Sequence, residues 1–290
     1  MRRGLQILLV LLVPIAVFLA MVVVDRTLGR PGRGLGYVQR IVLPKAGQAI
    51  GLPPVLGPPD ASRPLVVIDP GHGGHDPGAG GAGLVEKALT LSLAQALRDD
   101  LLKLGGIRVA LTRSDDRFLA LEERSGIARR MRAGLFVSIH ADSVDAGEAS
   151  GATIYTLSER GSNQTAQRMA ERENRSDTIN GVELGGTPDA VSAILVDLSQ
   201  RQTQARSEEF GRLVLREADG KLGFRERPMQ SAAFVVLKSP DVPSVLFEAG
   251  YISNPADASR LGSAAGREAF AGATARAIRA YFARQAEVGR

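Results

Sequence analysis

A short β-branched run, Leu65-Val66-Val67-Ile68, is followed by a glycine-rich loop and then by leucines at every fourth position: Leu89, Leu93, Leu97 and Leu101. The first pattern is that of a buried strand. The second lays an apolar stripe along one face of a helix from about Glu86 to Leu104. The alternation continues along the chain. Strands are expected at Ile107–Thr112, Leu135–Ile139, Ala152–Leu157, Ala233–Leu237 and Ser244–Phe247, and helices at Leu119–Arg132 and, in an alanine-rich stretch, at Ala264–Arg284. This order predicts an α/β fold, a central mixed sheet flanked by helices on both sides.

The remaining segments divide the chain. Met1-Arg2-Arg3 is basic, Leu5–Val24 is apolar apart from Gln6, and Asp25-Arg26 ends the run. Residues 1–28 therefore read as an export signal or a single membrane anchor, which places the protein in the periplasm or cell envelope, free or tied to the inner membrane. Residues 29–63 are rich in Gly and Pro and read as a linker. Residues 64–285 form the expected domain, interrupted over 158–215 by a polar, helix-compatible stretch that reads as an insertion. A net charge of +5 biases the chain toward anionic partners. The absence of Cys excludes a thiolate metal site and any disulfide. Aromatic residues are 4% and Trp is absent, so platforms for stacking sugars or bases are scarce.

Two of the three histidines, His72 and His140, stand at the ends of expected buried strands. Glu86 opens the helix after the glycine-rich loop, and Glu248 closes the strand Ser244–Phe247. In open α/β sheets ligands bind beyond the carboxyl ends of the strands, so these four groups converge on one sheet edge. Two imidazoles and one carboxylate suit zinc with a position left for water, and a further carboxylate can carry protons. Each residue also has a plainer reading. Glu86 would complement the helix dipole, a lone His at a strand end is commonly structural, and Glu248 would be a surface strand end. Asp69 is expected to stabilise the loop or a ligand imidazole, and His75 to face solvent. A phosphate-binding loop is disfavoured, because no Gly-Lys-Ser/Thr follows and Glu86 would place negative charge at the phosphate.

The motifs favour the chemical reading. Val67-Ile68-Asp69-Pro70-Gly71-His72-Gly73-Gly74, Asp76-Pro77-Gly78-Ala79 and Glu86-Lys87 resemble the zinc-binding opening of the N-acetylmuramoyl-L-alanine amidase family, of the bacterial cell-division type. Leu111-Thr112-Arg113, Phe136-Val137-Ser138-Ile139-His140-Ala141-Asp142 and Pro243–Asn254 continue the resemblance, which spans Pro64 to Phe282. It implies one zinc per chain held by His72, Glu86 and His140, with Glu248 as catalytic acid/base. It also implies peptidoglycan as substrate, cut between N-acetylmuramic acid and the L-alanine of the stem peptide during wall remodelling and daughter-cell separation. No nucleic-acid partner is expected. Ala249 departs from the leucine usual after the catalytic Glu. Gly29–Arg63 is too short for the β-rich targeting domain of many long members. A non-catalytic wall-binding protein on the same fold is the rival, against which the presence of all four functional residues argues.

The stretch Ser158–Leu215 resembles the regulatory insertion of division-type amidases, in which a helix covers the zinc cleft until an activator displaces it. The implied activator is a catalytically inactive relative of zinc endopeptidases. A carboxylate filling the open zinc position is the expected device. Glu159 is the first candidate because it follows the strand ending at Leu157; Glu171 and Glu173 come next.

Overall fold

The computed structural model describes residues 12–13, 16–21, 51–143, 149–179, 182–183 and 193–288. The chain divides into two compact units, Met1–Gly51 and Leu52–Arg290. In the first, residues 12–13 and 16–21 are helical. The rest of the expected signal or anchor, and the linker up to residue 50, lie outside the described residues. Among the described residues no helix is long and apolar enough to cross a membrane.

The second unit is built on a six-stranded mixed sheet in the order β4-β1-β5-β10-β6-β9. The strands are β1 (Leu65–Pro70), β4 (Arg108–Leu111), β5 (Leu135–His140), β6 (Ala152–Leu157), β9 (Phe224–Ala232) and β10 (Ser244–Glu248). Two-stranded ribbons are formed by β2 (Gly80–Gly81) with β3 (Leu84–Val85), and by β7 (Thr178–Ile179) with β8 (Val182–Glu183). Strands β4, β1, β5 and β10 are mutually parallel, β6 runs antiparallel to β10, and β9 runs parallel to β6.

Every residue of β1, β5 and β10 is buried, as expected of strands covered on both faces. Side-chain alternation sorts them. Val66, Ile68, Val137, Ile139, Val245 and Phe247 face one core; Leu65, Val67, Phe136 and Leu246 face the other. On the first face lie α1 (Glu86–Leu104), α4 (Ala193–Glu217) and α6 (Ala264–Val288), bringing Leu93, Leu97, Phe210, Leu213, Phe270 and Ile278. On the second lie α2 (Leu121–Arg130) and α3 (Gln164–Glu173), bringing Ile127, Ala128, Met169 and Ala170. A short helix, α5 (Pro255–Gly262), precedes α6.

The structure corrects several expectations. The apolar run Ala233–Leu237 is not a strand. Val235–Leu237 is a 3-10 turn with Val236 and Leu237 buried, and the neighbouring strand is β9. Strand β9 escapes a period-two reading because Arg225-Glu226-Arg227-Pro228 interrupts its alternation and a register shift occurs there. Within the stretch 158–215, read as an insertion in the domain, Phe210, Leu213 and Val214 of α4 are buried in the core. The Gly181–Gly186 break and the side chains of Ala193–Leu198 fall outside the described residues. At the other end, Leu56 forms an antiparallel bridge with Val109, and Arg108 donates to the carbonyls of Arg63 and Ala61. Residues 52–63, expected as linker, thus cover the edge strand β4 and shield its unpaired backbone.

Candidate metal centre and active site

The parallel strands β1, β5 and β10 all end at one edge, and their terminal residues build the site. His140 ends β5 and stands opposite Glu248 at the end of β10. His72 lies two residues beyond β1, in the left-handed region at φ 60°. An L-residue adopts that conformation only when its surroundings hold it there. Two buried arginines do so. Arg124 donates to the carbonyls of Pro70 (3.0 Å) and His72 (2.9 Å), and Arg113 to those of Pro70 (2.9 Å) and Gly71 (2.8 Å). Asp69, fully buried, pairs with Arg124 at 3.1 Å and accepts from Thr112 and Ser138. Burial alone would raise the Asp69 carboxyl, but Arg124 and the two hydroxyls outweigh it and hold it below the usual range. Asp69 therefore serves the loop, through Arg124, and not an imidazole.

The imidazole partner is Asp76, whose Oδ2 lies 2.7 Å from His72 Nδ1. This bond fixes the proton on Nδ1 and leaves Nε2 as the lone-pair nitrogen, an arrangement typical of metal-ligating histidine. Sequence reasoning missed Asp76. Its signal was its place four residues after His72 in the same loop. Gly71 must be glycine, because a Cβ there would lie 2.5 Å from the His140 ring.

Glu86, fully buried at the start of α1, does not cap its own helix. Its Oε2 accepts from Ala79 N (2.8 Å) and its Oε1 from Ala141 N (2.9 Å), so two loops outside the helix aim it into the site. Its oxygens lie 3.2 Å from His72 Nε2 and 3.2 Å from His140 Nδ1. Glu173, the last residue of α3, places Oε2 3.5 Å from His72 Nε2 and 3.2 Å from His140 Nδ1. Neither imidazole nitrogen finds a well-aligned hydrogen-bond partner, although both are buried. Glu173 offers one oxygen to both imidazoles, at separations close to the tetrahedral edge of about 3.3 Å expected for metal–ligand bonds of about 2.0–2.1 Å, whereas Glu86 presents a different oxygen to each imidazole. Burial opposes charge on His72, yet Glu86 and Glu173 with the Asp76 bond push its basicity well above the ordinary value. The cluster thus holds an excess of negative charge that a cation would neutralise. Among the described residues, His72, His140 and Glu173 form one group able to hold a metal, and Asp142, Glu173 and Glu248 a second.

Glu248 is fully buried. Its Oε2 accepts from Asp142 N at 3.2 Å and its Oε1 has no hydrogen-bond partner. Burial first, and then the nearby Glu86 and Glu173 carboxylates, push its proton affinity well above that of an ordinary glutamate. Arg172, beside Glu173 on α3, pairs with Asp142 and donates to Ser143 O at 2.9 Å.

The sequence-expected residues His72, Glu86, His140 and Glu248 therefore meet at one sheet edge. Glu159 does not join them. It is exposed just past the end of β6, and β6 runs antiparallel to β10, so that end lies at the opposite edge of the sheet. Helix α3 brings Glu173 back to the site instead. His75 is only half exposed, with its ring 4.1 Å from that of Phe118 and its Nε2 buried.

Fold and site define an α/β sheet protein with a buried, metal-competent cluster at its carboxyl edge. Residues 66–280 match the N-acetylmuramoyl-L-alanine amidase family. The chain is 42% identical over 220 residues to N-acetylmuramoyl-L-alanine amidase AmiA of Escherichia coli K12, covering 75% of this chain and 76% of that protein. It is 38% identical over 241 residues to AmiC of Escherichia coli O6:H1, covering 82% of this chain and 57% of AmiC. AmiC2 of Nostoc punctiforme, a solved structure, superposes with a TM-score of 0.55 at 30% identity, covering 76% of this chain and 98% of that one. The chain belongs to the N-acetylmuramoyl-L-alanine amidase family and is a peptidoglycan hydrolase acting on an amide bond.

Proposed function

We propose that this chain cleaves the bond between N-acetylmuramic acid and L-alanine with one zinc ion held by His72, Glu86 and His140, and with Glu248 moving the proton. The carrying observation is the convergence of two buried, poorly partnered imidazole nitrogens on a carboxylate whose oxygens are fixed by backbone amides. Held by these residues, zinc would supply Lewis acidity to the scissile carbonyl and to a water. Glu248 Oε1, buried and without a partner, would take the proton of the attacking water as its oxygen bonds the carbonyl carbon, and return it to the nitrogen of L-alanine as the C–N bond breaks. Arg113, Arg124 and Asp76 keep the His72 imidazole aimed.

Helix α3 is proposed to be the regulatory element, in a closed position. Glu173 meets both imidazoles where a water or the substrate carbonyl would enter. Displacement of α3 by an activator protein, one related to inactive zinc endopeptidases, would open the cleft. Confining hydrolysis in this way fits a role in daughter-cell separation by an exported protein of the periplasm or cell envelope. Export rests on the basic and apolar pattern of residues 1–28.

The test is mass spectrometry of purified peptidoglycan after incubation with the zinc-loaded chain carrying Glu173→Ala. Release of stem peptides that begin in L-alanine is expected. Fragments cut elsewhere, or intact peptidoglycan, would rule the assignment out.

A further inference from the structure

Strand β9 carries an irregularity beside the site that the proposed chemistry does not use. Ala152 pairs with Phe224 and Ile154 with Met229, so the single residue Thr153 faces four residues, Arg225-Glu226-Arg227-Pro228. Pro228 has no N–H to give the ladder, which favours an excursion at that point. Gly151, at φ 88°, lets the chain pass closely, since a Cβ there would lie 2.7 Å from Phe224 C and 3.0 Å from Arg225 N. Bulges recur next to active sites because they re-aim side chains.

The bulge lies at the catalytic edge. Thr153 stands opposite Glu248, and β9 runs parallel to β6, so the start of β9 sits at the same edge as the end of β10. Two strand spacings, about 10 Å, separate the bulge from Glu248. Extended peptide spans about 3.3–3.6 Å per residue, so that distance is about three residues of substrate.

Arg225 is held in place without being neutralised. Its Nη1 donates to Tyr251 Oη at 3.1 Å, and its guanidinium sits 5.4 Å from the centre of the Tyr251 ring. Tyr251 is anchored three residues beyond Glu248 and is itself buried. Among the described residues no carboxylate lies within ion-pair distance of Arg225. Arg227, in the same bulge, is exposed, whereas Arg225 is half-buried and held against Tyr251. Four further cations near this edge are engaged. Lys87 pairs with Asp116, Arg124 with Asp69 and Arg172 with Asp142, while Arg113 is surrounded by the carbonyls of Pro70, Gly71, Lys87 and Asp115. The site itself is rich in carboxylates, so an anionic substrate needs a compensating cation outside it.

We infer that Arg225 receives a free carboxylate of the stem peptide, within about three residues of the scissile amide, and so sets which wall chemistry the enzyme accepts. The inference rests on the amidase reading and adds a specificity residue to it. Guanidinium offers a planar fork of donors to a carboxylate and only a poor match to a carboxamide.

The experiment uses two soluble muramyl peptides, identical except that one carries a free carboxylate and the other a carboxamide at the residue after L-alanine. The full zinc-loaded chain with Glu173→Ala is compared with the same chain carrying Arg225→Gln or Arg225→Lys. Before substitution at 225, kcat/KM should favour the carboxylate by about 10–100-fold, through KM. Arg225→Gln should abolish the preference by slowing only the carboxylate substrate, and Arg225→Lys should restore part of it. Retained preference in Arg225→Gln, an equal loss on both substrates, or no preference before substitution would overturn the inference while leaving the amidase reading intact. Failure to cleave either peptide would overturn both.

Discussion

Two glutamates press on the same pair of imidazoles, and they are held in opposite ways. Glu86 is buried at the head of α1, and each of its oxygens accepts a backbone amide from a separate loop. Those loops are locked in turn by Arg113, Arg124 and Asp69. Glu173 sits at the tail of α3 with contacts to the two imidazoles and, among the described residues, no backbone donor on its carboxylate. Its helix is fastened to the site by Arg172, and by Asn174, which bridges Ala233 O and Val235 N at 2.9 Å each. The two carboxylates lie at similar distances from the imidazoles, and the proposal that Glu86 is the ligand and Glu173 the plug rests on the support behind each. A permanent ligand is pre-oriented by rigid elements, whereas a removable one depends on a few side-chain latches.

The largest test of this contrast is metal retention. His72→Ala, His140→Ala and Glu86→Ala should each lose stoichiometric zinc and all measurable wall hydrolysis, while Glu173→Ala keeps its zinc. Metal analysis of the four purified variants decides it, and zinc loss from Glu173→Ala would erase the distinction.

Next in size is Glu248→Gln, expected to retain zinc and fold while turnover falls by about 10²–10⁴-fold. Parallel metal analysis and peptide release separate this outcome from a ligand role; a near-normal rate would assign the proton transfer elsewhere.

Glu173→Ala should act in the other direction. If the open state is about 0.1–10% populated, removing the plug should raise basal hydrolysis about 10–1000-fold, since apparent activity scales with the competent fraction. Dye release from labelled sacculi without an activator measures it. An unchanged basal rate with intact zinc would mean that α3 is not a lid.

The smallest effects concern the latch. Arg172→Ala removes one fastening of α3 and should raise basal hydrolysis by less than Glu173→Ala does. Glu159→Ala, at the far edge of the sheet, should leave it unchanged in the same assay. A Glu159 effect as large as that of Glu173 would reverse the assignment of the blocking acid.

Much of this was legible in the sequence because it is local. The leucine spacing from Leu89 to Leu101 marked helix α1, and short, mainly apolar runs marked β1, β5 and β10 as strands. The rule that ligands gather beyond strand ends brought His72, His140 and Glu248 to one edge, and the family motifs around them decided between that reading and the plainer ones. Strand direction is different. Nothing in Ala152–Leu157 says that it runs against β10, and that reversal put Glu159 at the wrong edge and left Glu173 to enter the site. Likewise β9 reads as a polar stretch with a proline, because its pairing is made by partners far away in the chain and broken by its bulge. Periodicity and composition report what each segment buries; which carboxylate reaches which imidazole depends on contacts as distant in the chain as His72 with Glu173, and only the packed sheet decides those.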